Sequence, residues 1–207
     1  MSQLIACKSS DGIVLAADSK AVSVDDSGSL IDEQIERLIP LSEHTAILTG
    51  GAAAGVKMCR RLKDFVTGEG LDDIKAVYQA ALPFLASEYE QFMRKTCRFQ
   101  PIDPLHQVSF ILAGYSPADS SEPFHLYLLW TRKKLPLLDG EEINTVFTLP
   151  RVIRLEYRIG QLVGEKADPD RILSVVREGL ERQAAAQEEI DQPFSCAILD
   201  RGGIRRV

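Results

Sequence analysis

Residues Leu4 to Lys20 read LIACKSSDGIVLAADSK. Two short apolar runs, LIACKSS and GIVLAAD, flank SSDG, whose Ser, Asp and Gly suit the tight turn of a β-hairpin. The second run carries five apolar residues, Ile13 to Ala17, straight into Asp18, Ser19 and Lys20. Such a strand either reaches water at Asp18 or delivers a carboxylate to a site. The rest of the chain decides between the two.

Val22 to Glu33 is polar and acidic and predicts a surface loop. IERLIPL (35–41) and TAILTGG (45–51), joined by SEH, predict another strand pair. After Gly51 the apolar spacing becomes helical. Ala54, Met58, Leu62 and Phe65 share one face of a helix over Gly51–Phe65, and TGEG ends it. A second helix, Asp72–Cys97, begins where Asp72 can cap it. Its stripe runs from Ile74 and Val77 to Phe92 and Met93, and Pro83 should kink or divide it. Strands return at HQVSFILAGY (106–115) and FHLYLLW (124–130), with a further run near KKLPLLD (133–139). Thr148 and Pro150 have the pattern of a cap and first-turn proline for a third helix to about Val163. Asp168 and Pro169 repeat it for a fourth, to about Gln187. FSCAILD (194–200), a Gly-Gly turn and IRRV (204–207) predict a terminal hairpin.

Strands and helices thus come in blocks. That order excludes a doubly wound parallel sheet, which alternates them singly, and suits antiparallel sheets covered by helix pairs. No solenoid repeat, low-complexity tract or linker interrupts the 207 residues, so one domain over 1–207 is expected.

The chain is 45% hydrophobic and 26% charged, which suits a globular protein with a sizeable core. Its net charge of −6 argues against nucleic-acid and anionic-membrane partners. RGGIRR (201–206) is too short to reverse that. The four cysteines, Cys7, Cys59, Cys97 and Cys196, form no C-x-x-C pair and have no histidine at metal-ligand spacing. Free thiols, no metal and no cofactor are expected. No apolar run approaches the roughly 18 residues of a membrane span. The start lacks a signal-peptide pattern, which predicts a mature cytoplasmic chain. Basic residues around Cys97 (RKTCR) can lower a thiol pKa or complement a helix end. His44, His106 and His125 have no catalytic spacing.

Read together, ACKSSDGIVLAADSKA, IERLIPLSEHTAILTGGAAAG, the strands QVSFILAGY and PFHLYLLW, and FSCAILDRGGIRRV resemble the proteasome family of N-terminal nucleophile hydrolases, especially β-type subunits and their bacterial relatives. The resemblance implies an α+β four-layer αββα sandwich, two antiparallel sheets between helix pairs. It also implies a peptidase acting on peptides or unfolded proteins, a ring-forming homo-oligomer and an ATPase partner. The apolar faces of the first two helices point to self-association as well. Counting back from Asp18 without a gap puts the family's catalytic N-terminal residue on Ser2.

The chemistry follows from that placement. A terminal α-amine has a pKa of about 7.7–8.0, so much of it is neutral in the cell. Once Met1 is removed, the amine of Ser2 can take the hydroxyl proton while Oγ attacks a carbonyl. Asp18 would hold a nearby cation and orient Ser2. Lys20, two residues on, points to the same side of a strand as Asp18; the resemblance puts it and Gly50 along the substrate groove. TGGAAAG is a strand-to-helix turn whose amides can face an oxyanion, and the resemblance puts the oxyanion amide on Gly51. A phosphate loop is the rival, but its Lys and Ser/Thr are absent. Packing of helix on sheet also explains Gly-Gly.

The sequence departs from the family's pattern at Arg37, which stands at the catalytic lysine. Arginine stays charged and cannot act as a base, although its charge can depress the pKa of a nearby amine. The family's Ser-Gly pairs have no counterpart in NTVFTLPRV, nor its Asp-Ser-x-x-Gly loop in EEIDQPF, where Asp191 lies nearby. Two readings stay open: a peptidase or amidohydrolase using Ser2, and a catalytically silent ring-forming or partner-binding subunit.

Overall fold

Strands β1 (Leu4–Lys8) and β2 (Ile13–Ala17) form the expected hairpin, and every residue of both is buried. Leu4 and Ala6 enter one apolar cluster, Ile5 and Cys7 another. Cover on both faces is why these runs are continuously apolar instead of alternating. The computed structural model describes residues 2–24, 29–96, 105–131 and 137–207. Cys97 and the start of KKLPLLD lie outside the described residues.

After β2 come β3 (Lys20–Val24), β4 (Leu30–Gln34), β5 (Leu38–Pro40) and β6 (Thr45–Gly51), then helices α1 (Ala54–Gly68) and α2 (Ile74–Lys95). Strands β7 (Val108–Tyr115), β8 (Phe124–Thr131), β9 (Leu138–Glu142) and β10 (Val146–Leu149) follow. Helices α3 (Ile153–Gly164) and α4 (Pro169–Ala186) and strands β11 (Ser195–Asp200) and β12 (Gly203–Arg206) complete the order.

The expected four-layer sandwich of two antiparallel sheets is corrected by the pairing. The strands fall into three sheets, with orders β10-β1-β2-β11-β12, β3-β4 and β5-β6-β7-β8-β9. The two-stranded ribbon β3-β4 occupies the stretch expected to be a loop, with Lys20 opposite Gln34 and Val22 opposite Asp32. Strand β4 is largely exposed and held by backbone pairing, so its acidic sequence did not reveal the ribbon. Apolar residues of both five-stranded sheets, among them Leu15, Leu199, Leu48 and Ile111, share one cluster. Helices α1 and α2 pack on β5 to β9, and α3 and α4 on the sheet built around β2.

Four local expectations also change. Asp72 is not the cap of α2: its carboxylate accepts from the His44 N–H, while Asp73 accepts from the amides of Lys75 and Ala76. Helix α2 runs through Pro83 undivided. Thr148 closes β10, a strand the sequence did not suggest, and α3 begins only at Ile153. Thr148 Oγ1 accepts from the Val152 N–H at 2.6 Å, just ahead of the helix, and no side chain caps α3. The apolar residues of α1 and α2 that suggested self-association, such as Leu62 and Leu85, are buried within the protomer.

Three of the sheet edges are short or charged. Strand β5 has three residues and ends in Pro40; β9 carries Asp139, Glu141 and Glu142; β12 carries Arg205 and Arg206. Among the described residues no helix is long and apolar enough to cross a membrane.

The cap assignment is testable by urea unfolding. Asp73→Ala should cost about 1–2 kcal/mol, whereas Asp72→Ala, which loses an exposed pair with His44, should cost roughly 0–1 kcal/mol. Equal losses would return the cap to Asp72.

Candidate active site

The hairpin brings the start of the chain against the end of β2. The Gln3 N–H donates to Asp18 Oδ1 at 2.8 Å, and the Asp18 N–H to the Gln3 carbonyl at 3.2 Å. Ser2 is thus the residue before the one bonded to Asp18. Its hydroxyl oxygen accepts the Gly51 N–H at 2.8 Å. That amide closes β6, where Gly51 has φ +83° and an added Cβ would stand 2.1 Å from the Gln107 carbonyl oxygen. Only glycine fits there. Gly50 is tight for a different reason: a Cβ would meet Ser2 Oγ and Leu4 Cδ1, both at 3.0 Å.

Arg37 precedes β5 and is 1% exposed. Nη1 donates to the Thr49 carbonyl at 3.2 Å and Nη2 to the Lys20 carbonyl. Nε lies 3.4 Å from Asp18 Oδ1, an ion pair without hydrogen-bond geometry. Asp18 is fully buried, and that burial pushes its carboxyl up to about 6, against the opposing pull of Arg37 and of the Gln3 and Lys20 amides. Burial likewise lowers the Arg37 pKa, and Asp18 opposes it. At neutral pH Asp18 is ionised and the pair is charged on both sides.

Ser2, Arg37, Gly51 and Lys20 line a cavity of about 320 Å³. Lys20 is not on the strand of Asp18: β2 ends at Ala17 and Lys20 opens β3. Its amide donates to Asp18 Oδ2 at 3.1 Å, while its ammonium turns away to Asp32 at 2.9 Å and the Glu188 carbonyl at 2.9 Å. The Asp32 carboxylate raises the lysine pKa. A second, larger cavity of about 820 Å³ opens between the ribbon and α1, with Ile35, Ala53 and Lys57 in its walls.

The structure thus gathers Ser2, Asp18, Arg37, Gly50 and Gly51 and leaves only the charged end of Lys20 outside the group. The sequence missed Gln107, Ser109, Pro150, Glu188 and Glu189, which line the cavity from distant segments. No spacing ties them to Ser2. Asp191 contributes backbone: its carbonyl accepts the N–H and Oγ of Ser19, both at 3.3 Å, and its carboxylate accepts from the Gln192 N–H. Cys7, Cys59 and Cys196 are free and buried; burial raises all three pKa values, Cys7 to about 12.

No protein-family model matches the chain, and no curated protein matches it.

The buried carboxyl makes stability depend on pH. Asp18 goes from 3.8 unfolded to about 6 folded, so between those values the folded chain holds a proton that the unfolded chain has lost. The contribution is full below the unfolded value and is lost as pH rises through the folded one. Wild type should lose about 2 kcal/mol relative to Asp18→Asn between about pH 4 and about pH 7, read from urea unfolding of both proteins. A flat difference would mean that Asp18 titrates as an ordinary carboxyl.

Proposed function

We propose that the chain is an N-terminal nucleophile hydrolase of peptide or other amide bonds, with Ser2 Oγ as nucleophile once Met1 is removed. The observation that carries this reading is the 2.8 Å hydrogen bond from the Gly51 N–H to Ser2 Oγ. A donor so close to the attacking oxygen also reaches the carbonyl oxygen of the bond being attacked, and it is fixed in place before the charge develops.

The steps follow from the groups present. The free α-amine of Ser2 takes the hydroxyl proton as Oγ bonds to the carbonyl carbon. Gly51 donates to the oxyanion. The resulting ammonium gives its proton to the departing amine, leaving an ester on Ser2. Water, deprotonated by the same amine, then attacks the ester and releases the acid. Arg37 places a fixed positive charge in the cavity, which keeps the amine neutral by like-charge repulsion, and Asp18 holds Arg37. Lys20, Ala21 and Val22 of β3 line the cavity, and β3 pairs only with β4 among the described strands. An extended peptide can add there as a strand. The resemblance to proteasome β-type subunits adds a ring homo-oligomer, unfolded-protein substrates, an ATPase partner and a cytoplasmic location to the proposal.

Arg37 favours a second reading. Two of its nitrogens are committed to backbone carbonyls and it cannot relay a proton, which suits a structural clamp in a silent, ring-forming or partner-binding subunit.

The two readings part in one experiment. Intact mass should give a chain beginning at Ser2, and turnover of short fluorogenic peptides should vanish in Ser2→Ala without loss of folding. Arg37→Lys should keep or raise turnover, and Arg37→Met should lower it by at least roughly tenfold, the loss of about 1.4 kcal/mol at the transition state. Equal turnover by Ser2→Ala would place the chemistry elsewhere. Retained Met1, or no turnover by a chain that does begin at Ser2, would leave the silent subunit.

A further inference from the structure

Strand β7 turns its side chains alternately to two faces. Val108, Phe110 and Leu112 enter the cluster under α1 and α2, while Ile111 and Ala113 enter the one between the five-stranded sheets. Ser109 continues the second row and lines the Ser2 cavity. It stands opposite Gly50 of β6. Residues directly paired across antiparallel strands project to the same face, with Cβ atoms about 5 Å apart. A Cβ on Gly50 would lie 3.0 Å from Ser2 Oγ. The direction in which the Ser109 side chain leaves its sheet is therefore the one that leads to Ser2. A packing role at the end of an apolar row would suit alanine or valine. The Ser109 hydroxyl instead has no hydrogen-bond partner among the described residues, and it opens on the cavity that holds the candidate nucleophile.

We propose that Ser109 Oγ holds the water that releases the acyl group from Ser2. The inference rests on the hydrolase reading. Of the reactants in that scheme, the peptide is met by β3 and Gly51, whereas the water has a base and no second partner. A positioned water needs two or more polar partners. Here it gives one proton to the α-amine of Ser2 and donates the other in a hydrogen bond to Ser109 Oγ, which turns its lone pair towards the ester carbon. The bond from water oxygen to carbon forms, and the bond from carbon to Ser2 Oγ breaks. The ammonium returns its proton to Ser2 Oγ, and the acid leaves. Ser109 neither gains nor loses a proton, so an unperturbed hydroxyl is sufficient.

The chain that begins at Ser2, mixed with a short peptide p-nitrophenyl ester, tests this role. Acylation by such an ester is fast, so release of the acid limits turnover and nitrophenol appears in a burst. Ser109→Thr keeps a hydroxyl, Ser109→Val puts a methyl in its place, and both β-branched residues suit a strand. Ser109→Val should lower kcat and KM together by roughly tenfold, the loss of one hydrogen bond to the water. The burst and kcat/KM should stay, and intact mass should show the acyl group held on the chain. Ser109→Ala, which adds no bulk, should behave in the same way. Ser109→Thr should release the acid roughly tenfold faster than Ser109→Val. Equal release by the threonine and valine variants, or a fall in kcat/KM without a retained adduct, would overturn the role of Ser109 and leave the nucleophile standing. A wild type without a burst would remove the hydrolase reading, and this proposal with it.

Discussion

The guanidinium of Arg37 touches each of the three sheets. It donates to the Thr49 carbonyl in β6 and to the Lys20 carbonyl at the start of β3, and it faces Asp18 where β2 ends. A buried cation costs several kcal/mol unless it is paired and hydrogen-bonded, so these segments have to converge for the fold to form. Truncating either member of the pair leaves the other charge buried alone. The same convergence brings Ser2 to Gly51, because the Gln3 backbone is held to Asp18 by two hydrogen bonds, one to its carboxylate and one from its N–H. Packing and candidate chemistry therefore share one set of atoms.

That sharing explains the unusual state of Asp18. A carboxylate with two amide donors and an arginine would ordinarily ionise easily, yet complete burial outweighs them. The position gives up stability at neutral pH in order to keep a charge beside the cavity. Such concessions cluster where function needs them.

How much was legible in the sequence depended on how local each signal was. The β1–β2 hairpin declared itself because SSDG is turn chemistry between two apolar runs. The Asp168–Pro169 start of α4 was equally local, and Asp168 does cap it, accepting from the Arg171 N–H at 2.9 Å. Ser2, Asp18, Arg37 and Gly51 emerged from motif resemblance, and the structure gathers them. The ribbon β3-β4 stayed hidden because β4 is exposed and acidic, and strand patterns report burial more than pairing. Thr148 and Pro150 imitated a helix start because a threonine hydroxyl two residues before a proline is also compatible with the end of a strand, and here Thr148 bonds the Val152 N–H ahead of α3 without capping it. Asp72 and Asp73 compete for one role, and only the position of His44, fixed by tertiary structure, separates them. The cavity walls from Gln107, Pro150 and Glu188 carry no sequence signature, since each is brought in by a chain reversal far from Ser2.

The borders of the sheets bear on how copies of this chain can meet. A strand edge is an open ladder, and a flat apolar one recruits other chains into fibrils. Here β5 stops after three residues at a proline, β9 is lined with carboxylates and β12 ends in arginines already held by Asp170 and Glu36. Adding a strand at any of these would strip charge of water or meet a missing donor. At these three borders ladder extension is thus costly, so a strand from outside is steered to the edges that stay open, the uncharged β10 and the β3-β4 ribbon, where a short ladder can take a finite partner but not an endless stack.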